Sequence, residues 1–184
     1  MANDCPPIMK LLRFLTIMLT ALSLGAAFAH LLEMPGKFTY EGTLWLYLLQ
    51  TLYPTFGRVS GICEIGAVVA AVALVVAIRK RQKAFRWALL AASCLVATHA
   101  VFWIWIAPVN AVLVPLSPET LPPDWERLRD QWEFAHASRA ILQIVGLGAL
   151  VISILVELPS QRNAPTRTDQ AALRAATSID PPVA

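Results

Sequence analysis

The stretch ICEIGAVVAAVALVVAI (62–78), the turn RKRQKAFR (79–86) and the stretch WALLAASCLVATHAVFWIWI (87–106) decide the fold. Two apolar runs flank a short turn that carries five positive charges. A helix needs ~20 mainly apolar residues to cross the hydrocarbon of a bilayer. The pair therefore reads as two antiparallel membrane spans, Ile62–Ile78 and Trp87–Ile106, joined by a basic turn. Two further runs read the same way, Ile8–Leu32 and Ser138–Val156. The expected fold is all-α, an integral-membrane four-helix up-down bundle.

Composition agrees. The 184 residues are 57% hydrophobic with mean hydropathy +0.59, which excludes an ordinary soluble globule. The length suits one membrane domain over 1–157, and a Pro-, Thr-, Ala- and Arg-rich tail over 158–184 reads as disordered and cytoplasmic. Ten of the fifteen basic residues fall on one side: Lys10, Arg13, Arg79, Lys80, Arg81, Lys83, Arg86, Arg162, Arg167 and Arg174. The positive-inside rule makes that side cytoplasmic, with both termini inside and the two longer connections outside. This asymmetry, and not a nucleic-acid patch, accounts for the net charge of +3. The expected partners are the lipid bilayer and a lipophilic small molecule, with no nucleic acid. The Ala-rich spans and the charge bias suit a bacterial inner membrane.

Lys10, Arg13, the first apolar run and Ala27-Phe28-Ala29 also fit a cleaved signal peptide. The recurrence of Ala21, Gly25 and Ala29 every four residues favours a retained helix that packs closely in lipid. Cys5, Cys63 and Cys94 form no Cys-x-x-Cys pair, which argues against a thiol–disulfide exchanger.

The connections carry the local signals. Pro35-Gly36 should stop the first span at Met34. Thr43–Tyr53 reads as a short interfacial helix, with Trp45, Leu48, Leu49 and Leu52 on one face and Tyr47 and Gln50 on another. Pro54–Gly61 then reads as a turn, and Glu64 as a carboxylate one turn inside the second span. His99, Trp103, Ile106 and Asn110 share a face if the third helix continues through Pro108. Asp124 reads as an N-cap. A helix from Trp125 to Val156 would carry Arg129, Trp132, His136, Arg139 and Gln143 as one stripe facing the bundle.

All three histidines, His30, His99 and His136, lie at one level, close to Glu33, Asn110, Trp132 and Arg139. Intramembrane ionisable groups usually face a bundle interior, so a shared pocket near the outer face is expected. Two chemistries suit it. A neutral imidazole could act as base beside a cation that holds an enolate or phenolate. Alternatively His30, Glu33, His99 and His136 could ligate non-haem iron or copper. Bis-histidine haem ligation between spans is a further option. A non-catalytic binding or assembly protein is the alternative to an enzyme, with Glu33–Lys37 or Glu133–Arg139 as structural ion pairs. A small transporter is a third reading, weakened by the lack of a carboxylate in the middle of the first span.

The motifs His30-Leu-Leu-Glu33-Met-Pro35-Gly-Lys37, Tyr47-Leu-Leu-Gln50-Thr-Leu-Tyr53, Phe102-Trp103 with Pro108-Val-Asn110, and Trp125 with Trp132-Glu133-Phe-Ala-His136-Ala-Ser-Arg139 occur in that order. In this the chain resembles the anthrone-oxygenase-like family of small four-span membrane proteins, over roughly Leu11 to Val156. Pro54 departs from the family pattern, where a basic residue often follows the Tyr47–Tyr53 segment. The resemblance implies oxidation of a lipophilic phenol or anthrone by dioxygen. It would make His136 the base and Arg139 the oxyanion partner. His30 and Glu33 would orient groups or complete a metal site. Trp132, Trp103, Asn110, Tyr47 and Gln50 would contact substrate. The cofactor is then either absent or an iron or copper ion.

Overall fold

The computed structural model describes residues 6–158. The tail from 159 onward, with Arg162, Arg167 and Arg174, lies outside the described residues, as does Cys5. The chain forms α1 (Pro7–Lys37), α2 (Gly42–Thr51), α3 (Tyr53–Ala77), α4 (Gln82–Val101), α5 (Ala107–Leu113) and α6 (Trp125–Leu155). A π-helical segment, Phe102–Ile106, joins α4 to α5 without a break, and a 3-10 turn covers Pro118–Thr120. No strand occurs among the described residues. Four helices are long and apolar enough to cross a membrane: α1, α3, the continuous α4–α5 rod, and α6. The protein is an all-α integral membrane bundle.

The helices are apolar outside and partly polar inside. Leu11, Phe14, Leu22 and Leu32 of α1 face outward, as do Ile62 and Val69 of α3 and Ile141 of α6. Inward, α1 presents Arg13, Thr16, Thr20, Ser23, Ala27 and His30, spaced three or four apart on one face. Thr16 and Thr20 donate to the carbonyls of Leu12 and Thr16, so their hydroxyls are satisfied within the helix. Gly25 instead faces open space, so the packing face of α1 is not the Ala21–Gly25–Ala29 row. Small residues bring α4 and α6 together: a Cβ on Gly146 would lie 3.4 Å from Cys94 Cβ and 3.6 Å from the Ala91 carbonyl.

The two ends of the bundle differ. At the basic end, Glu157 accepts from Arg13 and, at 3.2 Å, from Arg81, tying α1 and the 79–81 turn to the end of α6. At the other, cap end, α2 lies across the helices. It buries Trp45, Leu46 and Leu49 against Ile106, Val109, Leu113, Leu128 and Trp132. The buried face of α2 is therefore 45, 46 and 49, while Leu52 is exposed. Glycine at 42 is required by close approach, because a Cβ there would meet Leu121 and Trp125 at 2.9 Å.

Two expected breaks do not occur, and the third helix continues through Pro108. Pro35 sits in the last turn of α1, which runs on to Lys37 and closes with Phe38 N–H donating to the Met34 and Gly36 carbonyls. Near a helix end proline removes one bond only, and the extra turn carries Lys37 inward. Pro54 lies in the first turn of α3, where a missing N–H costs nothing, so 54–61 is helical and not a turn. Pro108 cannot donate to the Ile104 carbonyl. The helix widens before it instead, with Ala107 N–H donating to the Phe102 carbonyl five residues back. Asp124 occupies the cap position of α6 but makes no capping bond; its carboxylate pairs with Arg127, which holds its pKa below the usual range.

Candidate functional site

The long α6 brings the predicted stripe inward: Arg129, Trp132, His136, Arg139 and Gln143 are all buried. Around it two charged layers form at the cap end. In the upper layer, Lys37 Nζ lies 2.8 Å from Glu133 Oε2 and 3.7 Å from Glu33 Oε2. Glu133 Oε1 accepts from the Trp45 indole at 3.0 Å. Glu33 accepts from Tyr53 Oη at 2.8 Å. Lys37 Nζ also sits 5.0 Å from the ring centres of both Tyr53 and Trp132. A cation between aromatic faces and a carboxylate is well held without water.

The lower layer centres on Glu64, which is 2% exposed. Its Oε2 accepts from Arg139 at 2.5 Å and from Gln143 at 3.2 Å. Its Oε1 lies 2.9 Å from His99 Nδ1. The other nitrogen of that ring, Nε2, lies 3.0 Å from the Trp103 indole nitrogen. An indole can only donate, so His99 Nε2 accepts and Nδ1–H donates to Glu64. The carboxylate thus fixes the tautomer, as the third member of a catalytic triad does for its histidine.

Between the layers, the rings of His30 and His136 lie 4.3 Å apart, with Trp132 beside His136 at 4.1 Å and Tyr53 beside His30 at 4.6 Å. Lys37 Nζ is 3.4 Å from His30 Nδ1, and Arg139 is 3.3 Å from His136 Nδ1. Ammonium and guanidinium donate only, so both Nδ1 atoms accept, and a neutral ring carries its proton on Nε2. His136 is therefore a hydrogen-bond donor, not the free base that the motif reading assigned. Its basic nitrogen already faces Arg139.

These groups border a cavity of about 390 Å³. His30, Tyr53, Glu64, His99, Trp132, His136 and Arg139 reach it, together with Ser23, Phe102, Trp103, Ile106 and Asn110. Ser23 Oγ and Arg139 Nε are buried and lack a hydrogen-bond partner. Asn110 lines the cavity and accepts from the Trp132 indole at 2.9 Å, which sets the orientation of that ring.

The remaining expected residues are placed differently. Tyr47 is 58% exposed and away from the cavity. Gln50 donates to the carbonyls of Leu113, Val114 and Leu116, so it fastens α2 to the chain after α5 and touches no ligand space. Glu33 is spent on Tyr53 and Lys37 outside the cavity lining. Arg139 pairs with Glu64 and not with Glu133. His30, Glu33, His99 and His136 do not converge as a ligand set, and no cluster of three such residues that could hold a metal ion exists among the described residues. A metal at His30 and His136 would also face the cations Lys37 and Arg139. The two rings are in direct contact, which leaves no gap for a haem plane between them.

The sequence placed Gln143 on the inward stripe but did not join Glu64, Lys37 and Ser23 to it as members of one site. A signal for Glu64 was present: Gly57, Gly61 and Glu64 fall at i, i+4 and i+7, a face too small to pack and therefore open beside a carboxylate.

No family model, no curated protein and no solved structure matches the chain.

Proposed function

We propose that the chain is a membrane-embedded oxidoreductase of anthrone-oxygenase type, oxidising a lipophilic phenol or anthrone with dioxygen in the cap-end cavity. The observation that carries this reading is the cavity floor. A carboxylate-backed imidazole, Glu64–His99, and a buried guanidinium, Arg139, face one aromatic-walled space. Its volume is within the range of small-molecule pockets. The resemblance of the ordered motifs to those of the anthrone-oxygenase-like family supports the same chemistry. The basic turn supports placing the cap end outside a bacterial inner membrane, with both termini in the cytoplasm.

An anthrone carries a weakly acidic CH₂ between two aromatic rings. His99 Nε2 takes one of its protons after the Trp103 indole turns aside; Trp103 is 61% exposed and free to do so. The electron pair delocalises onto the ring oxygen, held by Arg139 and His136 N–H. The carbanion passes one electron to dioxygen, and the resulting radicals combine into a C–O bond. The peroxide anion recovers the proton from His99. Loss of the second C–H proton then breaks the O–O bond, leaving a carbonyl and water. One anthrone and one dioxygen give one anthraquinone and one water.

A second reading, ligand binding or assembly without turnover, is favoured by the ion pairing of the buried Lys37 and Arg139 within the protein. Liposomes containing the protein, supplied with a dihydroxyanthrone, separate the two. The oxygenase consumes one dioxygen per quinone formed, and His99→Gln slows it on the order of 10²-fold. A rate equal to that of protein-free liposomes overturns the oxygenase and leaves the binding reading.

A further inference from the structure

Gly57 and Gly61 share the inward face of α3 with Glu64, and a Cβ on either would meet nothing within 4 Å. Both line the cavity. They leave a slot between the first half of α3 and the α4–α5 rod, directly above the polar floor. The edges of the slot are exposed and mostly apolar: Ile65 at 54% on one side, and Trp103 at 61% and Val114 at 49% on the other. On spanning helices such surfaces meet lipid. Trp103 and Trp105 form an aromatic pair of the kind that sits at the boundary between headgroups and hydrocarbon. Arg58 is also on the lining, within one helical turn of Ser60 and Gly61. At the inner end, Ser23 Oγ and Arg139 Nε are buried polar atoms with no partner in the protein. Buried polar atoms without partners are rare and mark where a ligand or water belongs. The space is thus polar at its closed end and apolar at its open, lipid-facing end.

We propose that the cavity loads sideways from the bilayer, and that its ligand is an alkyl-chained phenol or quinone whose ring enters while the chain stays in lipid. The ring identity rests on the oxygenase reading; the side route rests on the slot. The ring oxygen meets Arg139 and His136, Ser23 takes a second polar group of the ring, and the chain leaves between Gly61 and Trp103. A membrane-dissolved amphiphile needs no passage through water, which suits a site capped above by α2.

The test is binding of stable dihydroxyanthraquinones that carry a methyl, hexyl or dodecyl chain, read by quenching of tryptophan fluorescence. The full chain is used in phosphatidylcholine liposomes, and affinity is expressed per mole fraction in lipid. A chain that stays in the bilayer costs nothing to leave there, so the three affinities agree within a few-fold. Gly61→Leu or Gly57→Leu fills the slot and weakens all three at least tenfold, whereas Gly148→Leu, at another open position, changes none of them. If the chain of the bound ligand instead points out of the site into water, each methylene must be drawn out of lipid and affinity falls about fourfold per CH₂. That slope overturns the side route and leaves the ring class standing. No binding by any of the three overturns the ring class, and the proposal with it. Affinities unaffected by leucine at both 57 and 61 also overturn the route, because the slot is then not where the ligand sits.

Discussion

Replacing Glu64 with alanine should be among the most damaging single changes in the protein. The carboxylate is 2% exposed and receives three donors, Arg139 at 2.5 Å, His99 at 2.9 Å and Gln143 at 3.2 Å. Its removal strands the Arg139 guanidinium, itself only 7% exposed, without a counter-charge. Breaking a buried pair from one side costs about 3–5 kcal/mol, because a bare charge is left in a low-dielectric site. Removing Arg139 as well takes away that stranded charge, so the double variant Glu64→Ala/Arg139→Ala should be more stable than the sum of the single losses predicts. Glu64→Gln separates charge from shape. Its amide oxygen can still accept from Arg139, which turns its NH₂ towards His99 Nδ1. The ring must then accept at Nδ1 and protonate Nε2, which sets a donor against the Trp103 N–H. Reversible unfolding in mixed micelles measures the stabilities, and ¹⁵N resonances of the His99 ring report the tautomer. A loss under about 1 kcal/mol for Glu64→Ala, the size of an exposed pair, would refute the burial argument. An Nδ1-protonated His99 in Glu64→Gln would refute the tautomer argument.

The upper layer makes a parallel case. Lys37→Met should cost about 3–5 kcal/mol by stranding Glu133, and adding Glu133→Gln should return much of it; unfolding titrations of the single and double variants decide this. Asn110→Ala leaves the Trp132 indole N–H, on a residue 2% exposed, without an acceptor, and should cost about 1–3 kcal/mol with a visible shift in tryptophan emission. Elemental analysis of purified protein should find iron and copper well below one per chain, because Lys37 and Arg139 occupy the Nδ1 sides of His30 and His136. A stoichiometric metal that disappears in His136→Ala would reverse that conclusion.

The sequence by itself determined the membrane class, the four spans and the inward stripe of α6. Hydrophobic run length and helical period are local properties, and each follows from residues close together in the chain. It also placed His30, His99, His136, Trp103, Asn110, Trp132 and Arg139 near one level, because depth in a bilayer follows from position along a span. Where helices begin and end was less legible. Whether a proline breaks a helix depends on which carbonyl loses its donor and what replaces it, as at Pro35, Pro54 and Pro108. Pairing belonged to the tertiary structure alone. Glu64 could have faced water, and Arg139 could have reached Glu133. Lys37 could have stayed with Glu33 on its own helix. Each choice turned on the rotation of one helix against another, which spacing within a single helix does not encode. That rotation sets Glu64 between His99 and Arg139, turns His136 from base to donor, and leaves the space beside Gly57 and Gly61 unfilled.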